Sequence, residues 1–514
     1  MPRRLPVRRD RAHLRIAVAT ALLATGLTAC SSAPAENSGS GNPVAGGTLN
    51  VMRANPFEGF ELDKQTLNSS FQISDAVLEP LIRAGADGKT LEPGLAASWS
   101  YNAGNTVLTL KLQPDAVFSD GTPVTAEDVV FSAETWKSGS NYGATYAVIA
   151  KAKAVDEHTV EFRLAYPDTA LPAFLSWSSA GVVPDDFGGK PAKEFWQKPV
   201  GAGAFTVEKW SANGEVVLKK NPRYWRDGLP HLDQVVSTFA ADPNTIGLRL
   251  RSGQADMADE IWAVTASTLP KEYVKSQPEH LTPVLLMNTE DPALADPKVR
   301  QAIGYALDYS ALVTSAYKGF GTVPSGALPT NSKNWAAPSK PYFAHDPAKA
   351  KSLLGTAGPA KLTLHYANDP SSGLVAQIVQ RNLGAVGVTV ELQSGDASST
   401  FATVSGGDYQ LGMFSYNAIS PDVSDPAWYV AGTRSMFTGL NPDPLVAALG
   451  DYAGTDDVKA KAAAVTRVQD ILFEQAPFLA LAHVSALEGQ RTVVKGAEIT
   501  PWGTYYLDTV WKSE

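Results

Sequence analysis

Two runs decide the fold: Leu91–Ser100, LEPGLAASWS, and Val107–Ser132, VLTLKLQPDAVFSDGTPVTAEDVVFS. Val107 to Leu112 alternates apolar and polar side chains, the period of a half-buried strand. Ser119-Asp120-Gly121-Thr122-Pro123 has the residue types of a tight turn. Thr125-Ala126-Glu127-Asp128 resembles a capping box, and Val129, Val130 and Phe131 follow it, so a helix begins there. Strand, turn and helix in close succession point to mixed α/β structure.

The same reading extends outward. Thr159–Leu164 is a second strand, with Val160, Phe162 and Leu164 on one face. Ala204–Trp210 and Glu215–Lys219 read as a hairpin turned at Asn213-Gly214. Asp296-Pro297 starts a helix reaching about Tyr309, and Asp346-Pro347 starts another ending near Leu354. Residues 457–475 form a long Ala-rich helix closed by Pro477, and Phe478–Ala482 is a short apolar strand. Asn221-Pro222 and Gly228 are turn chemistry; Trp99, Tyr224 and Trp225 are core anchors. The alternation predicts α/β lobes with mixed sheets. With 514 residues, 44% of them hydrophobic and 18% charged, the chain can build two or three cored domains.

The N-terminus is of a different kind. Six arginines and one aspartate give residues 1–29 a net +5, and taking +5 from the overall −9 leaves −14 for the rest. An acidic body without a basic patch argues against nucleic acid and against a charged face for anionic lipid. Ile16–Leu27 is an apolar run too short for a spanning helix, which needs about 20 apolar residues. Leu27-Thr28-Ala29-Cys30 follows and holds the chain's one cysteine. The pattern resembles a bacterial lipoprotein signal, which implies removal of residues 1–29 and lipidation of Cys30; an ordinary secretory signal with an incidental cysteine is the alternative. Ser31 to about Gly47, rich in Ser, Gly, Pro, Ala and Asn, reads as a flexible tether. Beyond Cys30 no disulfide, thiolate metal site or cysteine nucleophile is available.

Enzyme signatures are missing. Gly88-Lys89-Thr90 would need a glycine at position 83 to be a phosphate loop, and Arg83 stands there. Gly201-Ala202-Gly203-Ala204-Phe205-Thr206 lacks the last glycine of a dinucleotide fingerprint and precedes a strand. Neither G-x-S-x-G nor H-E-x-x-H occurs, and the seven histidines are scattered. Asp185-Asp186 and Asp456-Asp457 read as loop or helix-start residues. Neither a cofactor nor a metal is expected, and no enzymatic activity.

The body resembles the family 5 extracellular solute-binding proteins, the peptide- and nickel-binding group of bacterial ABC importers. Besides the two opening runs, the resemblance rests on GGTLNVM (Gly46–Met52), PVGAGAFTVEKW (Pro199–Trp210), LKKNPRYW (Leu218–Trp225), RLRSGQADMAD (Arg249–Asp259), MNTEDPALADPKVRQAIGYALD (Met287–Asp308) and HDPAKAKSLL (His345–Leu354), in order. It implies a two-lobed periplasmic-binding-protein-like α/β fold, type II, of the large three-subdomain class, with mixed sheets and a hinge. Lobe I would comprise 47–82, 195–288 and 488–514, with 83–194 as its inserted subdomain; lobe II would be 289–487, after a signal at 1–29 and a tether at 30–46. The implied partners are permease subunits with their cytoplasmic ATPase, a peptide or other small solute, and the membrane through lipid on the extracytoplasmic face. The receptor itself would be a monomer.

The resemblance also places four segments at the ligand cleft: Ser70-Phe71-Gln72; Glu260-Ile261-Trp262; Met413-Phe414-Ser415-Tyr416-Asn417; and Ser420-Pro421-Asp422 with Asp425 and Trp428. Peptide-binding members show an aromatic, two residues, an aspartate and a proline four further on. Here those places hold Phe414, Asn417 and Pro421. Asparagine cannot neutralise a buried ammonium, and an unpaired buried cation costs several kcal/mol, on the order of 3–5. Either Asp422, Asp425 or Glu260 substitutes, or the ligand has no free ammonium, or the loop aligns differently and Asn417 is a turn residue. Phe71, Trp262, Phe414, Tyr416 and Trp428 could wall an apolar or sugar-like ligand. Peptides are the favoured class. Oligosaccharides or other small organic solutes, a ligand sensor on the same fold, and, least favoured, a secreted hydrolase are the rivals.

Overall fold

The computed structural model describes residues 42–85, 87, 90–355, 358–417, 422–423, 438–440, 443–499 and 505–513. Residues 1–41, with Cys30, the expected leader and most of the expected tether, lie outside them.

The opening run folds as its pattern requires. Strand Val107–Leu112 buries Leu108, Leu110 and Leu112 on one side and exposes Lys111 on the other. Burying each such leucine contributes about 1.5–3 kcal/mol, so the register is strongly held. The strand lies between 96–101 and 159–164 in a four-stranded antiparallel sheet completed by 149–156. Helix Ala126–Ser138 packs on it, its start held by Asp128 Oδ2, which accepts from the Thr125 amide (2.7 Å) and hydroxyl (2.8 Å). Leu81, Phe118, Trp136, Phe162 and Phe174 belong to the core beneath, and Trp99 and Trp225 pack at its edge.

A second sheet of twelve strands has the main order 389–395, 361–367, 411–417, 274–287, 483–490, 257–259, 48–53, 234–239, 215–220, 205–210. Parallel pairs (48–53 with 234–239 and 257–259) mix with antiparallel ones, including the expected hairpin of 205–210 and 215–220. Helices Pro297–Ala306, Pro347–Leu354 and Val458–Gln475 start on Asp296, Asp346 and Asp457, whose side chains accept helix-start amides. The first ends three residues before the expected Tyr309, because Asp308 caps a new turn. The apolar strand after Pro477 spans Phe478–Ala480, two residues shorter than expected.

Two strands carry the chain between cores. Val274 packs on the core of Met52, Ile246 and Leu250, whereas Leu285 and Met287, later in the same strand, belong to the core of Leu362, Val379 and Leu481. Strand His483–Gln490 returns, with Val484 in the latter core and Leu487 in the former. The crossing lies inside these strands, ahead of positions 288 and 488. Their pairing slips between Gln277 and Leu281, where Glu279 has a left-handed backbone (φ +56°) and accepts the Thr322 and Thr330 hydroxyls.

The glycines of PVGAGAF find a use unrelated to nucleotides. Backbone 201–205 lies against backbone 76–77: the Gly203 amide donates to Val77 O (3.0 Å) and the Phe205 amide to Ala76 O (2.8 Å). A Cβ on Gly201 would sit 2.0 Å from Val77 O, and one on Gly203 2.6 Å from Ala76 O.

Candidate functional site

The parallel strands 48–53 and 257–259 end together, with Arg53 beside Asp259. In open α/β sheets the crevice beyond the carboxyl ends of such strands is where ligands bind. Helix Asn68–Asp75 begins at the same end, and its Ser69 amide donates to Glu260 Oε2 (3.2 Å). Asn55 Nδ2 also reaches Glu260 (3.5 Å). Glu260 is the first residue past its strand, partly exposed, with a left-handed backbone (φ +52°). Such a backbone costs about 1–3 kcal/mol in a non-glycine residue.

Two further carboxylates stand behind Glu260. The antiparallel pairing of Met257 with Gln490 and Ala258 with Gly489 brings Asp259 up beside Glu488. Glu488 Oε2 accepts the Glu260 amide (3.1 Å), and Asp259 Oδ1 accepts the Tyr505 hydroxyl. Asp259 and Glu488 are 3% and 1% exposed. Burial pushes Asp259 up to about 7 against the pull of the Tyr505 hydroxyl. Burial, then the charges of Asp259 and Glu260, holds Glu488 well above the usual carboxylate range, and burial also raises Glu260. Arg53 turns elsewhere, to Ser237 Oγ (2.9 Å), Gly214 O (3.1 Å) and Asn55 O (3.5 Å). Sequence reading passed over Asp259 and Glu488. The available signal was an acid inside the buried run HVSALEGQ, since buried acids are rare without a partner.

The other expected site residues are dispersed. Phe71 is 2% exposed, packed against Trp177 (5.1 Å between ring centroids) and Tyr142 (6.1 Å), with Gln72 bonded to the Tyr505 backbone. Trp262, two residues past Glu260, is half-buried at the start of the short helix Ala263–Ala266. Phe414 and Tyr416 share one face of strand 411–417, opposite Val284 and Thr282 of the crossing strand. Phe414 is half-buried against Phe401 (6.0 Å), and Tyr416 is buried. Asn417 pairs with Leu281 through its backbone; its side chain, like Ser420, Pro421, Asp425 and Trp428, lies outside the described residues. Asp422 is buried and accepts the Tyr452 hydroxyl (2.6 Å).

That tyrosine lies next to a bridge between cores. Ala170, Leu171 and Phe174 belong to the core of the four-stranded sheet, and Tyr452 to that of helices 443–453 and 458–475. Between them the Thr169 amide donates to Ala453 O (2.9 Å), its hydroxyl to Thr455 O (3.3 Å), and Lys461 Nζ to the Thr169 hydroxyl (2.7 Å).

The sequence model of the bacterial extracellular solute-binding proteins, family 5 Middle, matches residues 90–437, more than half of the chain. The chain belongs to family 5. Its two-lobed fold is that of the family's type II periplasmic binding proteins, and family 5 proteins serve ABC importers. Among curated family 5 relatives, the glutathione-binding protein GsiB of Escherichia coli (strain K12) is 29% identical over 432 residues, 79% of this chain and 83% of GsiB. The probable di/tripeptide-binding protein 5 of Pseudomonas aeruginosa is 26% identical over 506 residues, 90% of this chain and 95% of the relative. The solved structure of AgaA with agropinic acid, from A. tumefacien R10, superposes with a TM-score of 0.81 at 26% identity, covering 91% of this chain and 99% of AgaA. Among the described residues no helix is long and apolar enough to cross a membrane.

Proposed function

We propose that this chain is the receptor that captures a peptide-class solute outside the cytoplasmic membrane and hands it to an ABC permease, held there by lipid on Cys30. The observation that carries the cargo class is the match over 90% of the chain to a relative named for di- and tripeptides, alongside one named for glutathione. The lobe-crossing strands supply the mechanism. Solute seated between lobes bonds to both, so it favours the closed form by its differential affinity, and the permease reads that form. The anchor rests on Leu27-Thr28-Ala29-Cys30 after a basic, apolar leader.

Di- and tripeptide libraries should raise the melting temperature by mass action, by the equivalent of about 2.7 kcal/mol at a hundredfold excess over Kd. Differential scanning fluorimetry tests this; a response to oligosaccharides but not to peptides would reverse the cargo assignment. Cys30→Ala should move the protein from the membrane fraction to the soluble one, and unchanged fractionation would remove the lipid anchor.

A further inference from the structure

Among the described residues the acids at the carboxyl ends of strands 48–53 and 257–259 form no ion pair with a protein cation, and the only positive charge acting on Asp259 from nearby is that of Arg53. Among the described residues no lysine or arginine lies within ion-pair distance of Asp259, Glu260 or Glu488; the salt bridges formed nearby go to Asp256 instead. Arg53, the one basic side chain in register with them, spends its guanidinium on a hydroxyl and two carbonyls. Three acids crowd this place against one arginine, and burial holds Asp259 and Glu488 toward their neutral forms, so charge on all three is unfavourable without a further cation. The structural roles of the acids do not use up their oxygens. Glu260 caps helix 68–75 through the Ser69 amide, and Glu488 holds the Glu260 amide, but each task occupies a single oxygen. Glu488 Oε1 and Asp259 Oδ2 are buried with no hydrogen-bond partner among the described residues. An acceptor left bare in a buried site is unfavourable unless a donor arrives from outside the chain. Among the described residues no cluster of His, Cys, Asp and Glu has the arrangement to hold a metal ion, and an N–H donor of an organic cation can satisfy a bare carboxylate oxygen.

We propose that Glu260, reinforced from behind by Glu488 and Asp259, is the subsite for a cationic group of the solute, an ammonium or a guanidinium. Glu260 is the member with some exposure, at the crevice where the two strands end. Peptide cargo supplies such a group as its terminal ammonium, so the inference rests on the reading of the cleft as a peptide receptor, but it specifies the charge of the solute and not its backbone.

The test separates the two. Isothermal titration of the full chain with trialanine, N-acetyl-trialanine, arginine amide and maltotriose is compared with Glu260→Gln and Glu488→Gln, and whatever copurifies is identified by native mass spectrometry. The expected result is a preference for the cationic member of the trialanine pair of roughly 30-fold or more, reduced to within about threefold by either substitution while the neutral probe is unaffected. Glu260→Gln alters a partly exposed side chain and keeps the Ser69 contact through its amide oxygen, so it remains informative if the Glu488 variant does not fold. Equal binding of the trialanine pair, or a preference untouched by both substitutions, overturns the subsite and leaves the peptide reading standing. Glutamate-dependent binding of arginine amide without either trialanine supports the subsite and ends the peptide reading. A copurified solute with no cationic group, or binding of maltotriose alone, overturns the subsite.

Discussion

Arg83→Met is expected to destabilise the protein by about 3–5 kcal/mol, the cost of breaking a buried ion network from one side. Arg83 bonds Glu79 through two nitrogens (2.8 and 3.2 Å), Asp508 Oδ2 through a third contact (3.0 Å) and the Tyr224 hydroxyl (3.0 Å). Its guanidinium lies 4.3 Å from the centre of the Tyr506 ring. Arg83, Glu79 and Asp508 are 8%, 1% and 2% exposed in their side chains, so water cannot replace the lost partner. Arg226 approaches Glu79 at 3.6 Å, too far to take over the bidentate contact. Denaturant unfolding with Arg83→Met alone, and with Glu79→Leu and Asp508→Leu added, measures the effect. The triple variant should regain part of the loss, because it removes the orphaned charges. A single-variant cost below about 1 kcal/mol would show the network to be energetically neutral.

Gly201→Ala is expected to cost about 3 kcal/mol or more, at the upper end of single substitutions. The new methyl would lie 2.0 Å from Val77 O and 2.9 Å from Leu78 Cδ2. The first of these is backbone and cannot swing aside, so segments 76–78 and 201–205 must separate, straining the Gly203 and Phe205 bonds to Val77 O and Ala76 O. The Gly201 carbonyl also accepts the Ser119 amide (2.9 Å), linking the damage to the turn of the opening run. Gly214→Ala is the control: its Cβ meets Ser211 Oγ, a side-chain hydroxyl that can rotate. Equal melting temperatures for the two variants would contradict this reading.

The residues themselves show why part of this was legible and part was not. Strand 107–112, the Asp128 cap and the Asn213-Gly214 hairpin rest on neighbours a few positions apart, and hydrophobic period and turn chemistry report such neighbours directly. Phe71 reads from the sequence as a wall of the cleft, and no local pattern records its packing between Tyr142 and Trp177. Gln72 bonds Tyr505 across 433 positions, and Glu260 touches Glu488 across 228; no local pattern records such a meeting. The failed phosphate loop is the clearest case. Arg83 excluded a nucleotide reading by its identity alone, while its network with positions 224 and 508 exists only once three distant pieces converge.

The sequence by itself determined the α/β class, the family, most strand and helix starts and the absence of an enzyme signature, because each depends on residue type and short spacing. Tertiary structure decided where the chain crosses between cores, why PVGAGAF needs its glycines, and that Asp259, Glu260 and Glu488 gather with no ion-paired cation among the described residues. Those are consequences of burial. A carboxylate becomes costly, and a missing methyl necessary, only when distant segments remove the water and the space around it.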